Sequence, residues 1–282
     1  MRILITGAAG FIGSTLMDAL AEHRVIGFDN FLTGVSANNR DVIEMDIRDR
    51  DRLYLMANEL KPELVIHCAA SYKDPNLWHQ DTDINVSGAI NVAALAKYHN
   101  SRIIYFQTVL PPISSYAISK IAGEHYLRLS GQPLTVFRLA AVYGPRNLSG
   151  AIPTFYRQVK AGLPCTVVED ASRDFVFVGD LVEQVLDVVE NPYNGTLDIR
   201  SGIETRILEI PQMIGQLLEQ EAVMKLIPRP PHDVPHYDMD GLPLEDAVPF
   251  YAGLKKAVEW YEQHGVGETY THLGELGGKP SS

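Results

Sequence analysis

A tyrosine and a lysine stand four residues apart in Ser114-Ser115-Tyr116-Ala117-Ile118-Ser119-Lys120. On a helix that spacing puts both side chains on one face. An ammonium beside a phenol stabilises the phenolate and lowers the tyrosine pKa, which makes Tyr116 a candidate acid/base near neutral pH. The pair alone is weak, because the spacing arises by chance in many helices. It becomes strong when the elements ahead of it belong to a nucleotide-binding fold.

Arg2 to Thr6 (RILIT) predicts a short buried strand, Gly7-Ala8-Ala9-Gly10-Phe11-Ile12-Gly13 a turn, and Ser14 to Glu22 a helix with Leu16, Ala19 and Leu20 on one face. Strand, glycine turn and helix are the context of a dinucleotide fingerprint. Gly7 lets the chain leave the strand sharply, Gly10 lets backbone N–H groups approach a pyrophosphate, and Gly13 lets the helix pack close to the sheet. The helix N-terminus, with Phe11 and Ile12, then faces the phosphates with its partial positive charge. A second strand, Val25 to Phe28, ends at Asp29, 22 residues after Gly7 and followed by Asn30. An acid there accepts hydrogen bonds from an adenosine ribose. It also repels a 2′-phosphate, so NAD is expected rather than NADP. Glycines that merely make turns are the bland alternative, outweighed by the agreement of strand, spacing, helix and acid.

Further strands are expected at Val42 to Met45, Leu64 to His67, Arg102 to Phe106 and Leu134 to Leu139. Asp46, followed by Ile47, is placed either to meet an adenine amino group or to cap a helix beginning near Asp51. Cys68-Ala69-Ala70 are small residues at a strand's carboxyl end, where an open α/β sheet binds its ligand; close approach of a flat cofactor and tight core packing are equal readings. Lys73 follows in a polar loop and is taken as a cofactor contact. Asn85 to Ala96 predicts a helix with apolar residues on two faces, Ala151 to Ala161 an amphipathic helix, Leu254 to His264 a terminal helix, and Gly274 to Ser282 a frayed tail.

The 282 residues are 46% hydrophobic and 21% charged, as in a soluble globular protein of one large or two intimate domains. A net charge of −11 argues against nucleic acid as a partner. Two cysteines, Cys68 and Cys165, make no disulfide framework, so a reduced cytoplasm is expected. Met1 leads straight into the first strand, which predicts no signal peptide, and no apolar run reaches membrane-spanning length. Nine histidines are scattered; His232 and His236 are four apart with a proline between them, and no metal is expected.

Nearly end to end, the chain resembles an extended short-chain dehydrogenase/reductase of the NAD-dependent sugar epimerase/dehydratase family. The likeness rests on Gly7, Gly10, Gly13, Asp29, Thr108, Tyr116 with Lys120, Arg138 to Arg146 (RLAAVYGPR) and Arg173 to Asp180 (RDFVFVGD). It is nearest to bacterial nucleotide-sugar 4-epimerases. The resemblance implies an α/β fold: a Rossmann-type doubly wound parallel sheet over residues 1–143, rejoined by a strand near 195–199, and a smaller C-terminal α+β substrate-binding domain over 144–282. It implies that Thr108 hydrogen-bonds the reacting sugar oxygen alongside Tyr116, and that Lys120 holds the nicotinamide ribose. Arg173 is assigned to the nucleotide diphosphate, which a guanidinium fork suits; a local pair with Asp174 or Asp170 is the other reading. Arg229 and Asp233 look like the family's late sugar-nucleotide contacts. The helices Asn85 to Ala96 and Ser119 to Leu129 show more apolar surface than one sheet face covers, and in the family such helices pair across a homodimer.

Three departures from the family pattern matter. Only Val109 to Ser115 separate Thr108 from Tyr116, although seven residues still span roughly 23 Å when extended. Ala141 stands where relatives often carry Asn. Val109-Leu110 stand where dehydratases place an acidic pair and uronate decarboxylases a glutamate. The resulting expectation is an NAD-dependent 4-epimerase of a UDP-linked sugar, UDP-glucuronate or a UDP-hexose, working through a transient 4-keto sugar. A dehydratase or reductase of the same family and a non-catalytic NAD-binding regulator are the alternatives. Arg146 is placed either to pair with a C6 carboxylate or to brace its own turn through Ser149.

Overall fold

A computed structural model of the chain describes residues 1–34, 41–71, 76–229, 236 and 239–267. The elements run β1 (Arg2–Thr6), α1 (Phe11–Ala19), β2 (Arg24–Asp29), β3 (Val42–Glu44), α2 (Arg50–Leu60) and β4 (Leu64–His67). A short turn, α3 (Trp78–Asp81), passes through a π-helical turn at Thr82–Ser87 into α4 (Gly88–His99), followed by β5 (Arg102–Thr108), α5 (Ser115–Leu129) and β6 (Leu134–Leu139). Then come β7 (Ala141–Tyr143), α6 (Ala151–Lys160), β8 (Cys165–Val168), β9 (Ser172–Phe177), α7 (Val178–Glu190), β10 (Gly195–Ile199), β11 (Glu204–Arg206), α8 (Ile210–Leu218), β12 (Met224–Ile227) and α9 (Phe250–His264).

Two compact units are formed, one from residues 1–72, 76–139 and 182–197, the other from the remainder. The first is built on a seven-stranded sheet of order β10-β6-β5-β4-β1-β2-β3. The pairs from β6 through β3 are parallel. Strand order reverses between β1 and β4, the switch point at which doubly wound sheets bind ligands. These strands are near-continuous apolar runs, as sheets covered on both faces require. Leu4, Phe28, Val65, Ile103 and Val136 form one core with Leu53 and Leu60 of α2 and Val92 and Leu95 of α4. Helix ends are set locally: Asp49 caps α2 by accepting from Arg52 N, Ser114 caps α5 by accepting from Ala117 N, and Lys61 and Asn100 close α2 and α4 in the left-handed conformation.

The second unit holds a three-stranded sheet, β11-β9-β7, and a parallel pair, β12-β8. Its core includes Tyr143, Phe175, Phe177 and Phe250. A Cβ on Gly253 would sit 2.3 Å from the Tyr143 oxygen, so α9 docks only with glycine there. Among the described residues no helix is long and apolar enough to cross a membrane.

Candidate active site

The glycine turn is closed so tightly that side chains are excluded from it. Gly7 has φ of +67°, and a Cβ there would lie 2.6 Å from Ala69 N. A Cβ on Gly13 would lie 2.1 Å from the Gly7 carbonyl oxygen, so the third glycine accommodates the turn itself. Helix α1 starts at Phe11, three residues before the start its apolar period predicts. Gly10 precedes it in extended conformation, with no side-chain cap and no acid in the first turn. An uncapped, acid-free N-terminus beside a cradle that excludes Cβ atoms fits a pyrophosphate.

Asp29 is the last residue of β2. Its carboxylate accepts from Ala9 N at 3.1 Å and Phe31 N at 2.8 Å. Burial pushes the carboxyl pKa up, opposed by those main-chain donors. It therefore ties the glycine turn to the strand end and presents a fixed acceptor. Asn30 donates from Nδ2 to Asp46 at 3.0 Å. Asp46 also takes the Arg48 amide and guanidinium at 2.9 Å, which holds its carboxyl below the usual carboxylate range. Helix α2 is capped by Asp49, so the capping alternative for Asp46 falls. Ile47 is buried under Gly88, and its carbonyl accepts from Asn91. Ala69 N donates to Thr6 Oγ1 at 3.1 Å; Ala69 and Ala70 are both half-buried at the end of β4. Lys73 lies outside the described residues.

Thr108 ends β5, and its Oγ1 accepts from Leu110 N at 3.1 Å. Tyr116 and Lys120 lie one turn apart on α5, Tyr116 half-buried and Lys120 only 3% exposed. Burial drives the Lys120 pKa down to about 7, with Cys68 and Glu124 opposing. Its ammonium lies 4.0 Å from the centre of the Tyr105 ring. The helix face carrying the pair is fixed by Asn85, buried within the π-helical turn. Asn85 Oδ1 accepts from Ser71 N at 2.8 Å, and Nδ2 donates to Ser71 O and to Ser119 Oγ at 3.0 and 2.9 Å.

In the second unit, Arg146 adopts φ of +70° after Gly144-Pro145. The Ser149 amide donates to Asn147 Oδ1 at 2.9 Å in the same turn. Arg173 on β9 is 8% exposed, and its Nη1 donates to Ser172 O at 2.7 Å. Asp174 accepts from Ser201 N and Oγ, Gly202 N and Arg200 Nε. Arg229 Nη2 donates to Asp170 O at 3.0 Å, while its buried Nε has no hydrogen-bond partner among the described residues. Asp233 lies outside the described residues.

Sequence reasoning passed over Asn85, Tyr105 and Arg200. Asn85 had a signal, a polar residue in a helix otherwise apolar on two faces, since buried Asn requires partners. It also passed over a second Tyr-x-x-x-Lys, Tyr156 with Lys160 on α6, where both groups meet Glu262 of α9. Among the described residues no three His, Cys, Asp or Glu gather as a metal site.

Residues 3–199 match the model of the NAD dependent epimerase/dehydratase family. A putative UDP-glucose 4-epimerase of Methanocaldococcus jannaschii is 34% identical over 74% of this chain and 79% of its own length. A UDP-N-acetyl-alpha-D-glucosaminuronate decarboxylase of Bacillus cytotoxicus is 28% identical over 93% and 98%. The crystal structure of the Bordetella bronchiseptica enzyme WbmG in complex with NAD and UDP superposes with a TM-score of 0.86 at 32% identity, covering 97% of this chain and 98% of that one. The chain belongs to the NAD-dependent epimerase/dehydratase family of enzymes, and its cofactor is NAD.

Proposed function

We propose that the protein is a reversible 4-epimerase of a UDP-linked sugar, with the first unit holding NAD and the second the sugar nucleotide. The observation that carries this reading is the composition of the segment after Thr108: Val109-Leu110-Pro111-Pro112-Ile113-Ser114 offers no carboxylate. Removing a C5 proton with loss of water needs an added acid/base, whereas exchange of configuration at C4 needs only one. The named relatives include a decarboxylase as well as an epimerase, and the absence of a glutamate after Thr108, where uronate decarboxylases carry one, supports the epimerase reading.

Bound NAD would supply the acceptor for the C4 hydride and the source for its return. Tyr116 accepts the C4 hydroxyl proton and, once the keto sugar has turned its other face to the cofactor, returns it to the same oxygen, to which Thr108 hydrogen-bonds. Lys120 holds the nicotinamide ribose and favours the tyrosine phenolate. Gly7, Gly10, Phe11, Ile12 and Gly13 cradle the pyrophosphate, while Asp29 and Asn30 take the adenosine ribose. Asp46, Ile47, Ala69, Ala70 and Lys73 line the rest of the cofactor site. Arg173, Arg229 and Asp233 hold the sugar nucleotide, so the 4-keto sugar can turn over without escaping. Ile90, Ile118, Tyr126 and Leu129, exposed on α4 and α5, support a homodimer.

Product analysis by NMR after incubation with UDP-glucose, UDP-N-acetylglucosamine and UDP-glucuronate tests the reaction. C4 epimers are expected; carbon dioxide or a 4-keto-6-deoxy sugar would overturn it. Arg146 is proposed to read a C6 carboxylate. Arg146→Ala should then cost UDP-glucuronate on the order of 1.5–3 kcal/mol in kcat/KM and UDP-glucose much less. Equal losses would return Arg146 to a structural role.

A further inference from the structure

We infer that Tyr105 is a positioning residue for Lys120, presenting its ring face to the ammonium so that a buried cation is held where the cofactor and Tyr116 need it. The inference rests on Lys120 having the role proposed above. Tyr105 sits in mid-β5 and is fully buried. Besides the 4.0 Å approach of Lys120 Nζ to its ring centre, its hydroxyl donates to the Lys120 main-chain oxygen at 3.0 Å. One residue therefore touches both ends of the lysine. Gly123 makes the close approach possible, since a Cβ there would lie 3.1 Å from the Tyr105 oxygen and 2.5 Å from Asn85 O.

The ring is held in turn. Thr6, His67 and Tyr105 are successive cross-strand partners on β1, β4 and β5. His67 stacks on Tyr105 at 5.6 Å, and its Nδ1 bonds Thr6 Oγ1 at 2.7 Å. Burial drives the His67 pKa down to about 3, so it adds no competing cation. Among the described residues, the ionisable groups acting on Lys120 are Cys68 at the end of β4 and Glu124 on α5; Tyr116 lies one turn ahead on α5, and α3, which carries Asp81, packs against that helix. Burial keeps Cys68 a thiol. Glu124 is bonded by Gln107 at 3.0 Å and by Arg128 at 2.6 Å. Beside Cys68 and Glu124, the quadrupole of the Tyr105 ring offsets desolvation of the ammonium, and a cation over a ring face gains more when desolvated.

The test is a shape-conserving series at position 105: Tyr105→Phe, then phenylalanines of increasing ring fluorination, in the full chain with NAD bound. Lys120 is titrated by 13C NMR of lysine-labelled protein, its signal assigned by its absence in Lys120→Arg. Tyr105→Phe keeps the ring face and should titrate like the wild type. Fluorination should lower the Lys120 pKa stepwise, by about one pH unit at full fluorination. A constant pKa across the series would overturn the inference. Fluorinated rings match phenylalanine in shape, so a folding defect in a smaller replacement such as Tyr105→Leu leaves the test intact. Absence of turnover with any UDP-sugar in the wild type would instead strike the proposed function, while the titration still decides the part played by Tyr105.

Discussion

The chain carries Tyr-x-x-x-Lys three times, at Tyr116, Tyr156 and Tyr251, and the copies on α5 and α6 have opposite surroundings. On α5, Lys120 is buried against an aromatic ring, and burial weakens its hold on its proton. On α6, the Lys160 side chain is about half exposed and sits 2.6 Å from Glu262. Glu262 also accepts from the Tyr156 hydroxyl at 2.5 Å. The carboxylate raises the Lys160 pKa, and burial followed by Glu262 raises that of Tyr156. A phenol donating to a carboxylate is the wrong partner for accepting a proton, so the second pair clamps α6 to α9. The spacing creates a shared helix face; the third group facing it decides between chemistry and structure.

The largest effect expected is on turnover. Tyr116→Phe should cost on the order of 10²–10⁴-fold in kcat, with sugar-nucleotide binding little changed, while Tyr156→Phe should leave the rate alone. Steady-state assays of both variants decide it, and a Tyr116→Phe enzyme within about threefold of wild type would mean that another base is used.

Next comes the cost of the buried lysine. Its folded pKa of about 7 lies below the ordinary lysine value of 10.5. Between those values the unfolded chain binds the proton more tightly, so stability of the NAD-free protein should rise with pH across that window. Lys120→Met should flatten the slope and stabilise the protein at pH 7 by on the order of 1–3 kcal/mol, at the expense of activity. Urea unfolding at pH 7 and pH 10 measures this; parallel slopes in wild type and variant would remove the lysine as its source.

The α5 pair also depends on a cofactor cradle in its own unit. Asp29→Ala should weaken NAD binding by about tenfold and admit NADP, because two main-chain donors lose their acceptor and the repelling charge is gone. Isothermal titration with both nucleotides checks it. Wild-type protein that takes NADP as readily as NAD would show that Asp29 does not discriminate.

Smallest is the α6 clamp. Lys160 and Tyr156 hold the Glu262 pKa below the ordinary glutamate value of 4.5. Its stabilisation is therefore present above that pH and lost as pH falls through the depressed folded value. With both side chains about half exposed, Glu262→Gln should cost no more than about 1 kcal/mol at neutral pH. Denaturation curves should differ between wild type and variant more at pH 7 than at pH 3.

The parallel sheet and its glycine turn were legible because each cue is local: apolar runs of strand length, glycines where the backbone closes on itself, an acid at the end of β2. Asp46 was ambiguous because its partner Arg48 competes with any cap, and only the fold shows that Asp49 holds that position. Tyr105 was hidden inside an apolar run, where nothing local distinguishes a core phenol from one lying under a cation. The second Tyr-x-x-x-Lys was neutralised by a residue more than 100 positions away. The predicted helix at Asn85 to Ala96 was continuous because apolar periodicity does not register a change of hydrogen-bond ladder.

That change of ladder makes the segment ahead of α4 intolerant of altered length. A π-helical turn holds one more residue than the α-helical turn it replaces. Deleting Val86 or Ser87 would let the backbone relax into unbroken α-helix, the conformation the rest of the segment already prefers. Everything upstream would then rotate about 100° relative to α4. Asn85 would swing away from Ser71 and Ser119, and the loop that follows β4 would lose its anchor. The extra residue is an inserted spacer whose removal would give a more regular helix and a misaligned cofactor site.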